Sequence, residues 1–161
     1  MKSEPEPRFV DVRGKAVDVS YGLDEFEKDG VAEWDGVRNH AAKNFMRDDM
    51  KLGDEVFYYH SNCRTPGIVG IARVCKEGYP DPSAFDKDDA HYDPKSDADN
   101  PRWFRVDIEF VRRTRRLIGL KELKANPALA DMALVRQGRL SVQPVKAEEW
   151  EAVLAMEGEE E

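Results

Sequence analysis

Phe104-Arg105-Val106-Asp107-Ile108-Glu109-Phe110-Val111 is the stretch whose reading decides the fold class. Phe104, Val106, Ile108 and Phe110 fall on one side of an extended chain, and Arg105, Asp107 and Glu109 fall on the other. A period of two is the mark of a half-buried strand. Upstream, Ile68-Val69-Gly70-Ile71-Ala72-Arg73-Val74 is apolar enough for a mostly buried strand, and Val56-Phe57-Tyr58-Tyr59-His60 is aromatic and β-prone. Ser61 to Gly67 is rich in turn formers, so the two runs predict a hairpin. Further out the pattern turns helical. Leu23, Phe26 and Glu27 lie on a short amphipathic stretch ended by Gly30. Asn39 is placed to cap a helix reaching Met46, and Gly53-Asp54 marks a turn. Leu120 to Leu134 reads as two short helices around Pro127, and Trp150, Val153 and Leu154 as a closing helix. Met1 to Tyr21 reads as irregular, with a short strand at Phe9, Val10 and Val12. Tyr79 to Pro101, with four prolines and many aspartates, reads as a long loop. Arg139 to Val145 is expected to be a last strand, held to an edge by Pro144. Short strands far apart in sequence with helices between them predict an α+β domain, built on a small β-barrel or mixed sheet with helices packed around it.

The 161 residues suit one domain, expected over residues 1–156, with 157–161 as a solvated acidic tail. Charged residues make up 36% of the chain, against about 25% in an average globular protein. Twenty-five basic and 33 acidic side chains leave a net charge of −8. Such a chain is poorly suited to non-specific tracking along duplex DNA, which rests on many cation–phosphate contacts. No apolar run approaches the roughly 18 residues of a membrane span, and the start lacks the pattern of a secretory signal. Cys63 and Cys75 cannot make a disulfide scaffold and are expected to be reduced thiols.

The usual catalytic patterns are missing. There is no P-loop, no G-x-G-x-x-G and no G-x-S-x-G. His40, His60, His91, Cys63 and Cys75 do not fall at a recognised zinc-finger spacing, so neither metal nor cofactor is expected. His60, Cys63 and Glu4 are the only candidates for an enzyme, and no catalytic residue is assigned. The run Arg112-Arg113-Thr114-Arg115-Arg116 stands out against the acidic background. It fits a phosphate-contact patch or a strand end kept soluble by charge. Trp34 precedes a polar loop, Tyr58 and Tyr59 run into His60-Ser61-Asn62, and Ser141 and Gln143 flank Val142. Aromatic faces with amide and hydroxyl groups suit a flat heterocycle, and they equally suit a core whose aromatics keep one polar handle.

Eight motifs then occur in one order. They are Lys2-Ser3-Glu4-Pro5, Trp34-Asp35-Gly36-Val37-Arg38-Asn39, Tyr59-His60-Ser61-Asn62, Pro66-Gly67-Ile68-Val69-Gly70, Tyr79-Pro80-Asp81-Pro82, Tyr92-Asp93-Pro94-Lys95-Ser96, Pro101-Arg102-Trp103 and Arg139-Leu140-Ser141-Val142-Gln143-Pro144. Over essentially its whole length the chain resembles the EVE domain family, and the stretch between Pro5 and Trp34 resembles that family's thymocyte nuclear protein branch. The resemblance implies a PUA-like fold and a nucleic-acid-binding module, with modified cytosine in DNA the favoured ligand. Carried over by position, Ser3, Glu4, Trp34, Tyr59, His60, Ser61, Asn62, Ser141 and Gln143 would line a base pocket. Family members carry an apolar residue or two ahead of the Lys2–Pro5 run, so the first strand here is expected to be short.

The resulting expectation is a monomeric DNA- or RNA-binding module that extrudes one base, stacks it on Trp34 or a tyrosine, and reads its edge with Asn62, Ser141 or Gln143. Arg38, Arg64, Arg112 and Arg113 would meet backbone phosphates. The expected location is the nucleus in a eukaryote and the cytoplasm in a bacterium, with no membrane partner. A hydrolase on the same fold and a peptide-binding module are the rival readings.

Overall fold

The computed structural model describes residues 1–6, 9–12, 15–18, 20–35, 37–97, 99–136 and 140–158. Five strands form one mixed sheet: β1 (Lys2–Ser3), β5 (Glu55–His60), β6 (Gly67–Pro80), β7 (Phe104–Gly119) and β4 (Val31–Trp34), side by side in that order. β2 (Phe9–Val12) and β3 (Lys15–Asp18) pair as a separate antiparallel hairpin. β1 runs parallel to β5, with Lys2 opposite Tyr59 and Ser3 opposite His60. The other neighbours are antiparallel. The expected β5–β6 hairpin is present, and so is the short first strand. The latter lies inside a segment read from sequence as irregular.

Both faces of the sheet are covered, which explains why Val56, Phe57, Tyr58 and Tyr59 are all buried although they alternate. Val56 and Tyr58 enter one core with Phe26, Met46, Val106 and Ile108. Phe57 and Tyr59 enter a second with Ile71, Ile118, Leu129 and Val153. The helices α1 (Leu23–Asp29) and α2 (His40–Asn44) cover the first face. The second is covered by α3 (Leu120–Ala125), α4 (Ala133–Arg136) and α5 (Ala147–Glu157). Local chemistry sets their ends. Asn39 Oδ1 accepts from Ala42 N at 3.0 Å and starts α2. Gly30, at φ 77°, donates back to Phe26 O and ends α1. A π turn, Phe45–Asp49, follows α2 and rests against β6 at Gly78. A Cβ at Gly78 would lie 2.7 Å from Met46 O, so only glycine permits that approach.

Three sequence expectations change. β7 does not stop near Val111 but continues through the arginine run to Gly119. The charges are tolerated because each side of the strand meets carboxylates: Arg112 pairs with Glu157, Arg113 with Asp24 and Glu27, and Arg116 with Glu122. Arg112 and Arg113 thus point to opposite sides, as strand geometry requires. Glu157 is no part of a solvated tail. It is the last residue of α5, 7% exposed, and accepts two hydrogen bonds from Arg112 and one from Arg115 N. Residues 159–161 lie outside the described residues. Leu140 to Val145 is not a strand. Pro144 lacks an amide hydrogen, and the segment's bond to the sheet is Lys2 N to Ser141 O at 2.9 Å. The alternation of buried Leu140 and Val142 marks a coil pressed on the core. Arg139 also falls outside the described residues.

Candidate nucleic-acid interface

Around Tyr58 the first core becomes an aromatic nest. Phe26 stacks on its ring at 5.0 Å, Trp34 meets it edge-on at 5.7 Å, and His60 lies 5.9 Å away on the same side of β5. Ser3, opposite His60 in the parallel register, lies on that side as well. Two polar atoms here are buried without a hydrogen-bond partner: Ser3 Oγ and Tyr58 Oη. Burial drives the phenol's pKa up, and the neighbouring Ser3 hydroxyl eases that rise without closing a hydrogen bond of good geometry. A buried hydroxyl left unmatched costs about 1–3 kcal/mol, a cost that a polar ligand reaching these two atoms would relieve. Trp34 is half-buried at the end of β4 and keeps part of its ring open.

The nine residues assigned to a base pocket divide between two faces. Ser3, Trp34 and His60 gather at the nest. Tyr59 does not: it is buried in the second core, where Lys2 Nζ lies over its ring at 5.7 Å. Ser141 and Gln143 line a narrow crevice beside Tyr59, away from Trp34. The Gln143 amide donates to Leu140 O at 2.6 Å, and its side chain also borders a cleft of about 600 Å³ next to Phe57 and Trp150. Ser61 donates to Ser3 O from both its amide and its hydroxyl, which ties β1 to the end of β5. Glu4 O accepts from Tyr21 N. Asn62 is exposed at φ 52°, a left-handed conformation that asparagine tolerates. Sequence reasoning missed Tyr58, Phe26 and Leu23. The signal was available in the two-residue alternation that puts Tyr58, not Tyr59, on the side of His60.

His60 closes the nest on its outer side. Its Nε2 accepts the backbone N–H of Leu23 at 3.0 Å, so that nitrogen carries no proton and the ring is neutral, protonated at Nδ1. Burial holds its pKa below the usual value against the opposing pull of Asp24 and Glu25. Burial also pushes the Cys63 thiol up, toward the protonated form. Burial thus disfavours a thiolate at Cys63, and His60 Nε2 is engaged by the Leu23 amide. Next to His60 opens a cleft of about 420 Å³, bordered by Pro5, Leu23, Glu25, Arg113 and Arg116. No cluster of three or more His, Cys, Asp or Glu among the described residues stands ready for a metal.

The four arginines assigned to phosphate differ sharply. Arg38 is committed internally. Its Nε and Nη2 donate to His91 O, Nη1 to Val37 O and to Asp81 Oδ2, and Nη2 also to Ser83 Oγ. A guanidinium has five N–H donors, and all five are used, so Arg38 is a brace for the 81–93 loop and has no donor left for phosphate. Arg112 and Arg113 are half-exposed but held by Glu157, Asp24 and Glu27. Arg64 is exposed, and its guanidinium makes no hydrogen bond or ion pair with a described residue.

Residues 1–156 match the family model described as the EVE domain. The chain belongs to the EVE domain family. Thymocyte nuclear protein 1 of Danio rerio is 48% identical to this EVE domain over 99% of the chain and 71% of its own length. The crystal structure of human THYN1 protein in complex with 5-methylcytosine-containing DNA shares 45% identity and a TM-score of 0.93, covering 100% of this chain and 97% of that one. A bacterial protein of Pseudomonas syringae, 42% identical, superposes with a TM-score of 0.83 over 98% and 97% of the two chains. The mixed sheet with helices around it is thus the PUA-like architecture that the motifs implied. No helix among the described residues is long and apolar enough to cross a membrane.

Proposed function

We propose that this EVE domain binds DNA and holds a single modified cytosine, 5-methylcytosine, in the nest formed by Trp34, Tyr58 and Ser3. The observation that carries the reading is the full-length likeness, at 45% identity, to a human protein whose structure contains 5-methylcytosine DNA. The nest supplies the required chemistry. Trp34 offers a partly open ring for stacking, and two buried hydroxyls offer donors and acceptors to a base edge. A base reaches such a site only when extruded from its stack, which costs a few kcal/mol that stacking and edge contacts must offset. Ser61, Glu4 and Gln143 hold the surrounding backbone, and Asn62 and Arg64 are exposed in the turn between β5 and β6. The domain is read as a binding module and not a hydrolase because its family likeness is to a DNA-bound protein. Its place is the compartment that holds the cell's DNA: the nucleus of a eukaryote or the cytoplasm of a bacterium. The test is a titration against two duplexes identical except for the methyl group on one cytosine. Tighter binding of the methylated duplex is expected, and equal binding overturns the reading.

Tyr58→Phe separates binding from folding. It removes a buried hydroxyl that has no partner in the free protein, so the melting temperature should stay level or rise. Affinity for methylated DNA should fall by about 0.5–1.5 kcal/mol, the net worth of one hydrogen bond. A drop in melting temperature with unchanged affinity would show the hydroxyl to serve the fold.

A further inference from the structure

We propose that Lys43, Arg47 and Arg102, set against the rings of Trp103 and Phe104 on the outer side of α2 and at the turn into β7, form the track that contacts the DNA backbone beside the bound base. The inference rests on the DNA-binding reading above and assigns its phosphate contacts to residues that no sequence motif joined. His40 stacks on Trp103 with ring centres 4.7 Å apart. Lys43 Nζ and Arg102 Cζ lie 5.9 and 5.7 Å from the same ring, and Arg47 Cζ lies 5.6 Å from the ring of Phe104. Trp103 itself is buried and anchored through Nε1 to Asp93 at 2.6 Å, so the platform is fixed. The cations are therefore held in place by flat rings, an arrangement that costs little ordering when a polyanion arrives.

The local charge balance points the same way. Asp48 faces Arg47 at 2.8 Å and Asp93 faces Arg102 at 3.6 Å, but Lys43 has no ion-pair partner among the described residues. Burial and the neighbouring Arg47 and Arg102 all lower its pKa, with Asp48 only partly opposing them. Two of the three cations have a carboxylate partner, so in a chain of net charge −8 the group keeps one positive charge, that of Lys43. It belongs to the face that carries the nest, because Ala42 and Met46 of the same helical segment pack into the core shared by Trp34 and Tyr58. The Arg112–Arg116 run, by contrast, is largely neutralised by carboxylates of α1, α3 and α5.

The experiment measures affinity for a methylated duplex across a series of salt concentrations. Each phosphate contact contributes about −0.9 to the slope of log affinity against log salt. Lys43→Gln with Arg47→Gln should flatten the slope by about 1.8 while preference for the methylated duplex survives, because phosphate contacts position and base contacts specify. Lys43→Gln alone should flatten the slope by about 0.9, which keeps the test valid should the double variant fold poorly. A parent protein that prefers methylated DNA, combined with unchanged slopes in both variants, overturns the track and leaves the base-binding reading standing. Flattening in Arg64→Gln with Arg115→Gln instead also overturns it, moving the backbone to the other end of the sheet. A parent that binds no DNA overturns both.

Discussion

Arg38→Ala is expected to destabilise the domain by about 3–5 kcal/mol, the cost of breaking a buried ion pair by removing one partner. Its partner, Asp81, is fully buried and also accepts from Ser83 N at 2.9 Å and Ser83 Oγ at 2.6 Å. Without the guanidinium the Asp81 carboxylate loses its ion pair with Arg38, and the carbonyls of Val37 and His91 lose these donors. Against a total stability of about 5–15 kcal/mol for a domain of this size, the change is large enough to read directly from urea unfolding. Arg38→Lys should recover only part of it, since one ammonium cannot serve four acceptor groups. Normal stability with weakened DNA binding would instead return Arg38 to the phosphate role its motif suggested.

The second large effect is on binding. Trp34→Ala should weaken affinity for a methylated oligonucleotide by about 1–3 kcal/mol, the worth of one base–aromatic stack. Trp34 is only half-buried, and its edge contact with Tyr58 at 5.7 Å is one of several around that ring, so the variant is expected to stay folded. Trp34→Phe should restore much of the loss, because the face that stacks is retained. A folded alanine variant that binds as well as the parent would make Trp34 a core residue alone.

Where one face of an element is buried and the other wet, the sequence could be read. The first half of β7 is the example: Val106 and Ile108 are fully buried, and the charged residues between them are not. Its second half was illegible because what makes an arginine run acceptable in a strand lies far away, in Glu157 and Asp24, 45 and 89 residues distant. Arg38 was misread for the same reason, since Asp81 and His91 arrive from 43 and 53 residues further on. Ser3, Trp34 and His60, named from their motifs, come together around Tyr58. Tyr58 and Tyr59 are not distinguishable by residue type, and only the two-residue alternation with His60 puts Tyr58 on the side of Trp34. Leu140 to Val145 shows the limit of alternation, because a coil lying on a core buries every second side chain just as a strand does. The cluster around Trp103 draws on two separate segments, and the Pro101-Arg102-Trp103 motif gave no sign that Lys43 and Arg47 would join it.

The most direct measurement is a fluorescence titration of the unaltered chain against two duplexes that differ by one methyl group. Burying that methyl in the nest is worth about 0.8 kcal/mol, close to a fourfold difference in affinity. The methylated duplex is expected to bind tighter by at least this factor, and the preference to persist as salt is raised, since a methyl contact releases no counterions. Equal affinities at every salt concentration would contradict it.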